Sequence, residues 1–239
     1  MTKEPILIVG GSRGIGAGFA AAYRERGHLV ICAARSLQTA LAAGGGELQL
    51  DLQDEASVER AAHTLREWLG DRHLEAIVIT AAVLHDDTVT PEKNLKSIHP
   101  DALLHSFSVN AIGPLLVAKH FGNLLGGPRP VFAALSARVG SIGDNGLGGW
   151  YGYRASKAAL NMFLRNISIE LGRRVKELVV LALHPGTVAT DLSAPFAARS
   201  KYTVFTVEES VDHLMKVIDG ATPNASGQFF AWDGSRIEW

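Results

Sequence analysis

Ile6-Leu7-Ile8-Val9-Gly10-Gly11-Ser12-Arg13-Gly14-Ile15-Gly16 sets the fold expectation for the whole chain. Four consecutive apolar residues suit a short strand covered on both faces. Glycines follow at once, and residues 17–26 then carry a helical pattern that stops at Gly27. Between a strand and a helix, such a loop has a mechanical meaning. Gly10 permits the tight turn, Gly14 lets backbone approach a pyrophosphate, and Gly16 permits close helix packing. The helix N-terminus then faces the phosphates. A plain turn is the competing reading, and the strand before and helix after favour the nucleotide.

Outward from this unit the same alternation repeats. Residues 29–33, 47–50, 76–79, 131–135, 178–183 and 228–232 read as further strands. Helices are expected over residues 54–69, about 101–125, a segment carrying Tyr153 on to about 173, and 207–218. The stretch 36–46, ending Gly44-Gly45-Gly46, reads as a turn. Loops at 85–99 and 194–206 are the expected walls of a substrate pocket. Strands alternating with helices imply βαβ units. The expectation is one α/β domain over residues 1–239, a doubly wound (Rossmann) three-layer sandwich with a mostly parallel seven-stranded sheet. Its ligand lies beyond the carboxyl ends of the strands, where every motif below falls.

Composition narrows the class. At 47% hydrophobic and 20% charged, the chain has the make-up of an ordinary globular protein with a large core. A net charge of −1 with interspersed signs points away from nucleic acid and from a basic membrane helix. The single cysteine, Cys32, excludes an internal disulfide and reads as a small core residue. With the first strand from Ile6, no leader pattern precedes it and no continuous apolar run reaches membrane-spanning length. The expected location is therefore the cytoplasm. The histidines show no His-Glu-x-x-His spacing, and no metal is expected.

The chemistry is carried by Tyr153-Arg154-Ala155-Ser156-Lys157. Four residues apart on a helix, Tyr153 and Lys157 share one face. A cation held near a phenol favours the phenolate and brings its pKa towards the working range. Tyr151 lacks this partner, because Ala155 stands four residues after it. At the end of the second strand stand Ala34 and Arg35, where an acid would bind the ribose diol of NAD and repel a 2′-phosphate. With Arg13 as a second cation, the expectation is NADP(H) preferred over NAD(H), against the alternative that either arginine simply faces solvent. Asp51 closes the third strand as an acceptor for an adenine amino group or as a strand-end cap. Pro114, four residues after Asn110, has no N–H for the Asn110 carbonyl, which leaves that carbonyl to hold a water or leaves only a kink.

The glycine loop, Asn110, the Tyr153/Lys157 pair and Pro185-Gly186, in that order, resemble the short-chain dehydrogenase/reductase family over the whole chain. The stretches 138–145, 153–161 and 183–192 and the ending Phe230-Ala231-Trp232-Asp233-Gly234 are similar to its C-factor-like and carbonyl-reductase-like branch. The resemblance implies hydride transfer between a nicotinamide and a carbonyl or alcohol, with Tyr153 as acid-base catalyst. It also implies that Lys157 binds the nicotinamide ribose and that a water at Asn110 relays protons from Lys157. The cofactor surface it implies comprises Gly10, Ser12, Arg13, Gly14, Ile15, Gly16, Arg35, Asp51, Leu52, Ala81, Ala82, Lys157, Pro185, Gly186, Val188 and Thr190. Two departures stand out. The family's substrate-binding Ser, three residues before the glycine, is here Ala137, with Ser136 as the preferred replacement and Ser141 as the alternative. The usual Asn-Asn-Ala-Gly segment is Ile79-Thr80-Ala81-Ala82.

On the Tyr153 helix, Leu160, Phe163, Leu164, Ile167 and Leu171 form one apolar stripe, and Ala158, Met162 and Ile169 another. A helix apolar on two faces is buried in a core or at a subunit interface. Since relatives pair these helices, a homodimer or homotetramer is expected, with a small-molecule carbonyl or alcohol as the other partner. The competing function is a dinucleotide-binding signalling protein of C-factor type that has lost its chemistry, which the Ala137 departure favours.

Overall fold

The computed structural model describes residues 3–197 and 203–239. In chain order, β1 (Lys3–Val9) leads into α1 (Gly14–Glu25) and β2 (His28–Ala34), then β3 (Ala40–Ala42), β4 (Gly45–Gln49) and α2 (Glu55–Leu69). Then come β5 (Ala76–Ile79), α3 (Pro100–Phe107), α4 (Gly113–Phe121), β6 (Val131–Leu135) and α5 (Tyr151–Leu171). The chain ends with β7 (Val179–His184), β8 (Thr187–Val188), α6 (Ala194–Ala197), β9 (Val204–Phe205), α7 (Val207–Gly220) and β10 (Gln228–Ala231).

The main sheet has the order β10-β7-β6-β5-β1-β2-β4-β3. It is the doubly wound arrangement expected, with eight strands rather than seven. The added strand is β3, paired antiparallel to β4 (Ala40 opposite Glu47, Ala42 opposite Gly45), so the segment read as a turn is a hairpin at the sheet edge. Ala-Leu-Ala and Gly-Gly carry little apolar alternation, so nothing local distinguished strand from turn. A separate two-stranded ribbon pairs β8 with β9.

Continuous apolar strands do build a core on both faces. Within β1, Leu7 and Val9 join the layer under α2, α4 and α5, while Ile6 and Ile8 join the layer under α1 and α7. Each fully buried aliphatic side chain stabilises the fold by roughly 1.5–3 kcal/mol relative to exposure. On α5, Leu160, Leu164, Ile167 and Leu171 are buried in the first layer, whereas Met162 and Ile169 are exposed.

The long helix expected from residue 101 to 125 is interrupted. A π turn over Ser108–Ile112 separates α3 from α4, and Gly113 N–H reaches back to the Ser108 carbonyl. Pro114 has no N–H to continue an α ladder, so the chain widens by one residue there. By length and mean hydropathy (1.2) the stretch Pro100–Leu124 would suffice to cross a membrane. In this fold Val117, Ala118, Phe121 and Leu124 are packed in the sheet core.

Candidate active site

At Gly10 and Gly16 the glycine loop is shaped by contacts that leave no room for a side chain. Gly10 lies at φ +90, and a Cβ there would stand 2.6 Å from the Ala81 nitrogen. A Cβ on Gly16 would strike the Gly10 carbonyl oxygen and come within 2.6 Å of Thr80 Oγ1. Thr80 Oγ1 itself is 3.1 Å from the Val9 carbonyl oxygen and 3.2 Å from that of Gly10. Thr80 thus ties the end of β1 to the loop from the position where the family carries an Asn. The first turn of α1 has no side-chain cap, since Arg13 at its N-cap is extended and makes no capping bond. Its leading N–H groups are suited to phosphate oxygens. A glycine loop packed this closely at Gly10 and Gly16, against an uncapped helix start, fits a dinucleotide pyrophosphate.

Around this cradle the other cofactor candidates take their places. Ser12, Arg13 and Arg35 are exposed, and Arg13 Nη1 lies 3.6 Å from Asp191 Oδ2. Ile15 packs on the α1 side of the core. The Asp51 carboxylate accepts the Gln53 N–H at 3.0 Å, a strand-end cap. Leu52 is buried, and Gly113 packs against it. Ala81 and Ala82 are half-buried after β5. The Pro185 carbonyl accepts from Ser210 Oγ at 2.9 Å, and Gly186, at φ +80, packs on Phe205 and Trp232. Val188 is buried in β8, and Thr190 donates its N–H to Ser193 Oγ at 3.2 Å. A Cβ on Gly14 would lie 3.6 Å from the Thr190 methyl, so the loop after β7 faces the glycine loop across the cleft. Of the pocket walls expected at 85–99 and 194–206, residues 198–202 lie outside the described residues.

Tyr153 and Lys157 meet on the first turns of α5. Lys157 is buried, with Nζ 2.7 Å from the Leu135 carbonyl oxygen and 5.8 Å from the centre of the Tyr153 ring. Burial lowers the Lys157 ammonium to about 7. Burial likewise raises the Tyr153 phenol to about 12. The expected lowering of the phenol by its cationic neighbour is therefore not what the protein alone produces. Taking both groups out of water disfavours the charged form of each.

Asn110 sits in the π turn, 0% exposed. Its Oδ1 accepts the Val83 N–H at 2.8 Å, and its Nδ2 donates to the Val83 carbonyl at 2.8 Å and to Ser156 Oγ at 3.1 Å. The side chain therefore pins the chain after β5 to α5. Ser136, at the end of β6, donates to Asn161 Oδ1 at 2.6 Å, one turn beyond Lys157. Ser141 Oγ accepts the Asp144 N–H at 3.1 Å and caps a loop turn. Ala137 holds the intervening position in extended conformation. His184 at the end of β7 is driven by burial down to about 4, so it is neutral and a packing residue. Among the described residues no three His, Cys, Asp or Glu side chains are grouped to hold a metal.

Three residues around the site had no role assigned from the sequence. Thr80 is one. Arg154 is the second, bracing the loop before α5 through Gly149 O at 3.1 Å and Val139 O at 3.2 Å. Glu92, from the loop between β5 and α3, is the third, with its carboxylate on the Gly152 N–H. Each joins residues far apart in the chain or fastens a loop, which no spacing rule reports.

Residues 4–201 match the family model described as short chain dehydrogenase. A 1-hydroxy-2-glutathionyl-2-methyl-3-butene dehydrogenase from Rhodococcus sp. (strain AD45) is 35% identical over 236 residues, 98% of this chain and 99% of that one. The C-signal protein of Myxococcus xanthus is 40% identical over 139 residues, 57% of this chain and 78% of C-signal. Among solved structures, the NADPH-bound carbonyl reductase from chicken fatty liver covers all of this chain and 95% of its own, with a TM-score of 0.84 and 25% identity.

Proposed function

From the premise that this chain belongs to the short-chain dehydrogenase family, an NAD(P)-dependent class of oxidoreductases, we propose that it is an NADPH-dependent reductase of a ketone or aldehyde. Tyr153 is its proton donor. The observation that carries this reading is the pairing of Tyr153 with the buried Lys157 on one helix, together with a glycine loop packed too closely at Gly10 and Gly16 to take side chains.

NADP(H), when bound, supplies or accepts the hydride. Gly10, Gly14, Gly16 and the start of α1 hold its pyrophosphate. Arg13 and Arg35 serve the 2′-phosphate, for which exposed guanidinium forks at the end of β2 are suited. Asp51 and Leu52 border the adenine, Ala81 and Ala82 admit the ribose closely, and Pro185, Gly186, Val188 and Thr190 present backbone to the nicotinamide end. Lys157 holds the nicotinamide ribose. A phenol raised to about 12 is protonated at neutral pH, the form that reduction needs at the carbonyl oxygen. Alcohol oxidation begins from the phenolate, the form that burial opposes. Asn110 keeps its backbone carbonyl for the relay water, its side chain being committed elsewhere. Ser136 is the candidate donor to the substrate oxygen, and to act it releases Asn161. The exposed Leu104, Ile112, Met162 and Ile169 on α3–α5 and the turn between α3 and α4 favour pairing of these helices between subunits.

A second reading is a nucleotide-binding signalling protein, which Ala137 and the likeness to C-signal favour. Oxidation of NADPH against a panel of ketones and aldehydes separates the two. Catalysis requires Tyr153→Phe to be slower than wild type by about a hundredfold or more, as expected of a lost general acid. If the two are equally slow on every carbonyl, the signalling reading replaces the enzyme.

A further inference from the structure

Glu92 lies in the loop between β5 and α3, and only 4% of it is exposed. A buried carboxylate is tolerated only where donors replace its water. Here the donor is the Gly152 N–H at the start of α5. Its Oε1 and Oε2 stand 3.3 and 3.2 Å from the Gly152 nitrogen, and its own carbonyl accepts the Trp150 N–H at 2.6 Å. The helix needs such a partner. Its N-cap is Trp150, in the left-handed region at φ 50, ψ 44, with no side-chain capping bond. A 21-residue helix thus begins without a local cap, and a carboxylate complements both its unpaired N–H groups and the positive end of its dipole. Packing closes the site: a Cβ on Gly152 would meet Glu92 Oε1 at 2.9 Å, Leu103 Cδ2 at 3.1 Å and Ser106 Oγ at 3.5 Å. Gly152 is the residue immediately before Tyr153, and the Trp150 ring meets the Tyr153 ring edge-on at 6.2 Å.

We infer that Glu92 is a positioning residue: reaching from the loop between β5 and α3, it caps α5 at Gly152 and holds the Tyr153 phenol and that loop in one geometry. The role rests on Tyr153 being the proton donor. It asks nothing of the nucleotide cradle, so its loss separates turnover from cofactor binding. The hydrogen bond to Gly152 needs an acceptor oxygen more than the charge at the helix end, so an amide in the same place serves for most of it.

The test compares full-length wild type, Glu92→Ala and Glu92→Gln in three measurements: steady-state carbonyl reduction, NADPH binding by fluorescence, and hydrogen exchange of amides 150–156. In Glu92→Ala, kcat falls by about tenfold or more, the scale of a misplaced reacting group, and exchange at 150–156 accelerates. NADPH affinity stays within about twofold, and Glu92→Gln restores most of kcat and the protection. The inference is overturned if kcat of Glu92→Ala stays within about twofold of wild type, if Glu92→Gln is as slow as Glu92→Ala, or if 150–156 remain equally protected. Tyr153→Phe run alongside keeps the two claims apart. Should it match wild type, the acid-base reading fails alone, and the exchange data then decide whether Glu92 holds the helix start.

Discussion

Replacing Gly16 by Ala tests the glycine cradle by the sign of its effect. Gly16 is in α1, outside the left-handed region, so helix propensity alone predicts that Ala stabilises by about 1 kcal/mol. The surroundings predict the opposite. The new Cβ would collide with the Gly10 carbonyl oxygen, and would stand 2.6 Å from Thr80 Oγ1 and 2.8 Å from the Gly10 carbonyl carbon, where ordinary contact begins at 3.4 Å. Thr80 cannot yield freely, because its hydroxyl is held between the Val9 and Gly10 carbonyls. Overpacking of this kind costs about 2 kcal/mol within a range of 1–3, and losing the threonine bond about 1 more. Against the gain in propensity, the net is a destabilisation of about 2 kcal/mol, or a fall in Tm of about 4–8 °C for a chain of this size. Displacement of Gly10 also distorts the surface offered to the pyrophosphate, so NADPH affinity falls by about tenfold or more. Thermal unfolding with and without NADPH reads both quantities. A variant that melts at or above the wild-type temperature and binds NADPH equally well would falsify the cradle.

The other perturbations concern the neighbouring groups. Asn110→Asp keeps the acceptor for Val83 N–H but sets a carboxylate oxygen against the Val83 carbonyl, so it should destabilise about as much as Asn110→Ala, by roughly 2–4 kcal/mol. Urea unfolding checks this, and a wild-type midpoint for Asn110→Asp would refute the two-way bracket. Lys157 titrates at about 7 in the folded protein and near 10.5 when unfolded. Between pH 7 and 9 the unfolded chain therefore binds the extra proton, and the stability of the cofactor-free protein should rise with pH. Melting curves of Lys157→Met across that range should lack this rise; an identical slope in both proteins would show that burial does not set the Lys157 charge. Arg35→Asp places an acid at the end of β2, and the ratio of NADPH to NADH affinity should drop by about tenfold or more. An unchanged ratio by titration would remove Arg35 from the 2′-phosphate site.

Much of the architecture could be read locally, because its determinants are local. Ile6 to Val9 announced a doubly covered strand, and Leu7/Val9 and Ile6/Ile8 do divide between two core layers. The proline at 114 marked a missing N–H in a helix expected to run unbroken to about residue 125, and a π turn at Ser108–Ile112 divides it. Tyr153 and Lys157 share a helix face because 3.6 residues complete a turn. The hairpin at Ala40–Ala42 was hidden for the converse reason: its residues are too small to mark a face.

By itself, then, the chain's pattern determined the main alternation of strands and helices and the two-faced core, which follow from periodicity and short-range stereochemistry, while its motifs carried the family resemblance. Only the tertiary structure decided which polar groups meet. It committed Ser136 to Asn161, set Glu92 on the start of a helix sixty residues away, and took Tyr153 and Lys157 far enough from water to move both pKa values towards the neutral forms. Hydrogen-bond partnership and desolvation depend on what surrounds a group in space, and residues distant in sequence supply those surroundings.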